Sequence, residues 1–137
     1  MARRKLSREG TLVLDSEGLS KLLNDDEPVV SLIAEARSRG MEVVISALTI
    51  IEAVHAGTNK TRLNWILSGV RVIPVGEEEA RAASVLLMEA GLHGHKYALD
   101  AAVAEAALRQ PRPVALLTSD VDDMTKLCGD RVHIIGV

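Results

Sequence analysis

Five short runs of β-branched residues and leucine, Thr11 to Leu14, Glu42 to Ile45, Val70 to Val75, Val114 to Thr118 and Val132 to Ile135, alternate with segments whose apolar residues recur at helical spacing. A chain built this way has few solutions. Apolar runs with little polar alternation must be buried on both faces, and connections long enough to hold a helix bring each strand back parallel to the last. The expectation is an α/β fold: a three-layer α/β/α sandwich around a central parallel five-stranded sheet.

Helices are expected from Ser16, with Leu19, Leu22 and Leu23 as the buried stripe, and from Pro28, a favoured first-turn residue, to Gly40 as the stop. These two form a helical hairpin. Others are expected from Ser46 to near Gly57, over about Thr61 to Leu67, Glu77 to Ala90, Lys96 to Arg109 and Val121 to Leu127. The sixth, LDAAVAEAAL, is nearly all alanine on every face, which predicts close packing between the sheet and a neighbouring helix. No repeat or linker divides the 137 residues, so one domain over 1–137 with one core is expected.

The composition excludes several classes. Cys128 is the only cysteine, which rules out an internal disulfide, and no Cys/His spacing suits zinc, so a reducing cytoplasm fits. The basic start, MARRKLSREG, leads into too few apolar residues for a signal peptide or a membrane span, and a soluble protein is expected. Trp65 and Tyr97 are the only Phe, Tyr or Trp residues, so no base-stacking platform of the RRM or OB type is expected and any RNA contact is expected mainly to the backbone. Trp65 is expected in helix packing or a dimer contact. The net charge of −3 argues against a nucleic-acid binder unless the negative charge is gathered in one site with Arg and Lys at its rim.

Acids occupy telling positions. Asp15 ends the first strand, where open α/β folds bind ligands, although Asp before a helix is also a favoured N-cap. Asp120 ends the fourth strand and is followed by Asp122 and Asp123, for which a cap or a solvated turn is the plain alternative. Glu52 projects away from the stripe of Ala47, Ile50, Ile51 and Val54, and alone reads as a solvated glutamate. Asp100 falls in a helix that is otherwise apolar, where a carboxylate needs a partner: either Lys96 one turn earlier, or a metal. Taken together, four acids placed at strand ends and in the adjoining helices call for a cation. Oxygen ligands without His or Cys select Mg²⁺ or Mn²⁺, which suit phosphodiester hydrolysis.

VLDSEGLSKLL resembles the first motif of the PIN-domain family, SALTIIEAVHAG the second, YALDAAVAEAAL the third and LLTSDVDDM the fourth, in family order across nearly the whole chain. The resemblance is greatest to the VapC-type toxins of toxin–antitoxin pairs. It implies a sheet of order 3-2-1-4-5 and a Mg²⁺- or Mn²⁺-dependent endoribonuclease that hydrolyses RNA phosphodiester bonds. Carried over, the catalytic acids are Asp15, Glu52, Asp100 and Asp120. Metal ligands are Asp15, Asp100, Asp120 and Asp123, with Glu52 binding through water or acting as base. Ser16 and Thr118 match hydroxyls that support the carboxylates. Met124 departs from the pattern, since an aromatic residue often follows the last acid. The partners implied are an RNA substrate, a cognate antitoxin and a second copy of the chain in a homodimer. Rim residues for RNA are Lys60, Arg62 and Lys96, with Arg3, Arg4 and Lys5.

Rival readings make different demands. A receiver-type phosphoacceptor wants paired acids after the first strand and a lysine after the last, where this chain has Ser16 and HIIGV. A haloacid-dehalogenase-type phosphatase wants Asp where Glu17 stands. A non-catalytic PIN-like module that binds RNA or protein need not keep four acids.

Overall fold

The computed structural model describes residues 9–137. Strands β1 (Thr11–Leu14), β2 (Glu42–Ser46), β3 (Arg71–Ile73), β4 (Val114–Thr118) and β5 (His133–Gly136) form an all-parallel sheet of order β3-β2-β1-β4-β5. Seven helices among the described residues cover it: α1 (Ser16–Leu23), α2 (Glu27–Ser38), α3 (Ala47–Ala53), α4 (Lys60–Ser68), α5 (Glu77–Ala90), α6 (Gly94–Leu108) and α7 (Val121–Cys128). This is the expected three-layer α/β/α fold with the expected strand order.

Side chains alternate across the sheet as strand geometry requires. Leu12, Leu14, Val43, Ile45, Ala115 and Leu117 bury one face against Leu19 and Leu22 of α1, Val29, Ile33 and Ala36 of α2, and Ile66 of α4. Val13, Val44 and Leu116 bury the other against Ala83 and Leu87 of α5, the alanines of α6, and Met124 and Leu127 of α7. Ala101 to Ala107 is buried throughout, so small side chains do bring α6 onto the sheet. Gly18 does the same for α1: a Cβ there would stand 3.4 Å from both Leu14 Cβ and Leu117 Cβ.

Differences from the sequence expectation lie at element ends. β3 covers only Arg71–Ile73 of the run Val70 to Val75, because Pro74 has no N–H for the ladder. α3 stops at Ala53 rather than near Gly57: His55 N donates to Thr58 Oγ1 (2.9 Å) and Thr58 N to His55 O (3.0 Å), closing a turn instead. α6 begins at Gly94, not Lys96, and Tyr97 at φ −114°, ψ 15° kinks its first turns. Among the described residues, no helix is long and apolar enough to cross a membrane.

Candidate active site

β1 lies between β2 and β4, so the chain's connections diverge to opposite faces at the β1/β4 boundary, and the crevice at the carboxyl ends of these two strands is the place where doubly wound sheets bind ligands. Leu14 pairs with Leu117, which sets Asp15 beside Thr118. Asp15 is 3% exposed and serves as the N-cap of α1: its Oδ1 accepts from Glu17 N (3.0 Å) and Gly18 N (3.1 Å). Cap and site position are thus one residue. Burial pushes the Asp15 carboxyl above its ordinary value against the Thr118 hydroxyl and the Gly18 and Glu17 amides, which favour the ionised form, while the charge of Asp120 adds to the rise. The Thr118 Oγ1 also accepts from Asp120 N (2.9 Å), so this one hydroxyl ties the ends of β1 and β4 together.

Asp100 reports the electrostatics of the crevice. Its pKa is raised to about 6, first by burial and then by the charges of Asp120, Glu52, Asp123 and Asp15. Every acid assigned to the site from sequence therefore acts on Asp100. The alternative partner, Lys96, does not: no ion pair joins them among the described residues, and Lys96 Nζ stands 5.2 Å over the Tyr97 ring. Asp120 precedes α7, makes no side-chain cap among the described residues and is exposed, so of its plain readings the cap falls and the solvated turn stands. Asp120 and Asp123 line an open 380 Å³ hollow with Ser119, Val121, Asp122 and Lys126. Glu52 is exposed at the end of α3, and Ser16, expected to support a carboxylate, makes no side-chain hydrogen bond among the described residues.

The donor set is carboxylate oxygen throughout, the chemistry that Mg²⁺ and Mn²⁺ take. Among the described residues no three acids already converge to the spacing of a metal cage. Mg²⁺ does not need one, because it usually keeps several waters and binds one or two carboxylates directly. The acids fit the ion on those terms.

Cations are arranged otherwise than expected. Arg62, assigned to the rim, is engaged within the fold: Nε donates to Leu23 O (2.8 Å), and Nη2 to Leu22 O (3.0 Å) and Asp25 Oδ1 (2.6 Å), closing the carboxyl end of α1. Lys60 and Lys96 are exposed. Arg3, Arg4 and Lys5 lie outside the described residues. Two residues escaped the sequence reading. Lys126, three and four residues after Asp123 and Asp122, brings a positive charge to the acidic hollow, and helical spacing was the signal for it. Thr49, one turn before Glu52, is 1% exposed with Oγ1 lacking any hydrogen-bond partner. Trp65, expected in helix packing or a dimer contact, is 69% exposed, which leaves the contact open to it.

A parallel α/β/α sandwich of order 3-2-1-4-5 with acids at its switch point has the PIN-like fold. No protein-family model matches the sequence, and no curated protein does. Solved structures do share the fold. One is VapBC2 from Rickettsia felis, bound to a DNA fragment from the promoter: 14% identity, 93% of this chain and 98% of that chain covered, TM-score 0.69. Another is a toxin–antitoxin complex from Klebsiella pneumoniae: 18% identity, 88% of this chain and 94% of that chain, TM-score 0.67.

Proposed function

We propose that this chain is a PIN-family, VapC-type toxin: a Mg²⁺- or Mn²⁺-dependent endoribonuclease held in check by a cognate antitoxin. The observation that carries the reading is Asp100, a half-buried acid on an apolar helix whose neighbouring charges are Asp120, Glu52, Asp123 and Asp15 rather than a lysine or arginine. A fold does not keep such a group for stability, and a strongly perturbed acid in a crevice marks a functional site.

Asp15, Asp100 and Asp120 are the acids to hold the ion, with Asp123 beside them. Bound there, Mg²⁺ or Mn²⁺ supplies activation of water and neutralisation of charge on the phosphodiester. The chain's own residues do the rest. The Glu17 and Gly18 amides and the Thr118 hydroxyl fix the Asp15 carboxylate, so its orientation is preorganised. Glu52, exposed near the end of α3, is the acid to take a proton from the attacking water at its carboxylate. Lys126, Lys60 and Lys96 offer phosphate contacts around the crevice.

Support for the antitoxin comes from the fold shared with chains from toxin–antitoxin complexes. Trp65, exposed beside a 250 Å³ cavity lined by Leu22, Ile66 and Arg37, gives a partner protein an aromatic anchor. A homodimer in the cytoplasm completes the proposal. A non-catalytic PIN-like module is the second reading, favoured by the absence of a ready three-acid cage among the described residues.

The test is cleavage of single-stranded RNA by the purified chain. Activity in Mg²⁺ that stops with EDTA and returns with excess Mn²⁺ is expected; RNA binding that ignores metal, with no cleavage, overturns the nuclease in favour of the module.

A further inference from the structure

Behind the acidic crevice, on the α1 face of the sheet, lies a cavity of about 160 Å³ lined by Ser20, Leu23 and Asn24 of α1 and its end, Ala53 of α3, and His55, Gly57, Thr58 and Asn59 of the loop into α4. Asp15 caps α1, and Glu52 lies in α3. Ser20 follows Ser16 by one turn, about 6 Å along the axis, and Ala53 is the residue after Glu52. The cavity is therefore lined by the same two helices that Asp15 caps and Glu52 occupies.

Its lining has a definite chemistry. No lysine, arginine, aspartate or glutamate contributes, so it suits neither a phosphate nor a cation. What it presents is neutral hydrogen-bonding groups against the apolar walls of Leu23 and Ala53. Gly57 N donates to His55 Nδ1 (3.0 Å), which leaves the neutral ring's proton on Nε2 as a donor. A Cβ at residue 57 would stand 3.1 Å from His55 Cε1, so glycine lets the ring fold back over the loop. Asn59 Oδ1 accepts from Arg62 N (3.0 Å) as the cap of α4, and its amide NH₂ has no partner among the described residues. The Asn24 amide has none either, and adds a donor and an acceptor. The volume is below the roughly 300–1,000 Å³ of sites for drug-sized ligands. One ring-sized, uncharged group with donors and acceptors on its edge fits.

We infer that this cavity takes a single nucleobase of the RNA, on a nucleotide next to the one cut in the acidic crevice, with Asn24, His55 and Asn59 reading its edge. Sequence-specific RNA recognition works on such splayed bases. Neither Trp65 nor Tyr97 lines this cavity, so the base is held by hydrogen bonds, with the His55 ring and the aliphatic side chains of Leu23 and Ala53 as its walls. The inference rests on the nuclease reading for its substrate.

Asn59→Asp tests it sparingly: Oδ1 still caps α4, while the amide donor becomes an acceptor. Asn24→Ala removes the second reader, on a solvated position. Both variants should melt within a degree or two of wild type. Cleavage of a randomised single-stranded RNA, sequenced at the cut ends, should show a base preference at one position beside the cut. Each variant should flatten or change that preference, and about three- to tenfold in relative rate is the range for one lost hydrogen bond. In parallel, NMR of the full chain titrated with single-stranded RNA tetranucleotides in EDTA, where no cleavage occurs, should shift the His55 ring and Asn59 amide signals, more for one base than for the others. Those shifts, with no cleavage in Mg²⁺ or Mn²⁺ either, would support the cavity and sink the nuclease reading. Wild-type base preference in both variants, or shifts confined to other surfaces, overturns the inference.

Discussion

Two acids on α6, Asp100 and Glu105, sit little more than a turn apart in opposite surroundings. Glu105 is 6% exposed and is clasped by Arg109, Nε to Oε2 at 2.6 Å and Nη2 to Oε1 at 3.1 Å. That hydrogen bond in turn makes the Arg109 guanidinium hold its proton more tightly. Asp100 meets no such fork, and the charges of four acids, after burial, lift its pKa to about 6. Elsewhere acids also come with arginines: Glu35 with Arg39, Glu42 with Arg71, Glu77 with Arg81. Glu105, buried in the fold, takes its counter-charge from its own chain. Asp100, at the carboxyl edge of the sheet, is surrounded by other acids, and in the proposed function a cation supplies its counter-charge.

The largest effect that separates the two is on activity. Asp100→Asn should lower Mg²⁺-dependent RNA cleavage by about 10²–10³-fold, the scale for losing one group that stabilises developing charge. Its melting temperature without divalent ions should not fall, since a repelled carboxylate has been removed. Undiminished cleavage breaks the comparison. Glu105→Gln should do the reverse, leaving cleavage per folded molecule intact while destabilising by about 1–2 kcal/mol, a value kept low because Arg109 can turn to water. Equal loss of cleavage in both variants would mean that the two acids share one role.

A smaller effect appears with pH. Burial and the neighbouring acids raise Asp100 in the folded state from the ordinary 3.8 to about 6, so the folded state binds the extra proton between these values. The stability from that proton is full below the unfolded value and is lost as pH rises through about 6. Without divalent ions, the melting temperature of wild type should fall relative to Asp100→Asn from about pH 4 to about pH 6; parallel curves would deny the crowding. Smallest are the rim residues. Lys60→Ala and Lys96→Ala should each flatten the salt dependence of RNA binding by about 0.7 in log–log slope if each meets a phosphate. Arg62→Ala should instead lower the melting temperature, because its guanidinium holds the end of α1; an unchanged melting temperature would return Arg62 to the rim.

Much of this was legible in the sequence because it is local or periodic. Strand runs, the alanine surface of α6 and acids at strand ends each carry their meaning within a dozen residues, and a parallel sheet then fixes which edge they share. What stayed hidden depends on contacts across the chain. Arg62 looked like a free cation until the fold brought it to Leu22 and Leu23, about forty positions back. Asp15 was weighed as cap or site acid, and the structure makes it the cap without removing it from the crevice. The cavity around His55 has no motif at all, since a turn between α3 and α4 assembles it against α1.

The central claim is that the acids at the carboxyl edge await a divalent cation, and thermal melting of the full chain against rising Mn²⁺ at neutral pH tests it without any need for substrate. An ion that binds only the folded state should add about 2.7 kcal/mol once it stands at a hundred times its Kd. The account predicts a rise in melting temperature that continues with the logarithm of Mn²⁺ concentration for wild type and for Glu105→Gln, and little or none for Asp100→Asn. A wild-type melting curve unmoved by millimolar Mn²⁺, or a rise that Asp100→Asn shares in full, contradicts it.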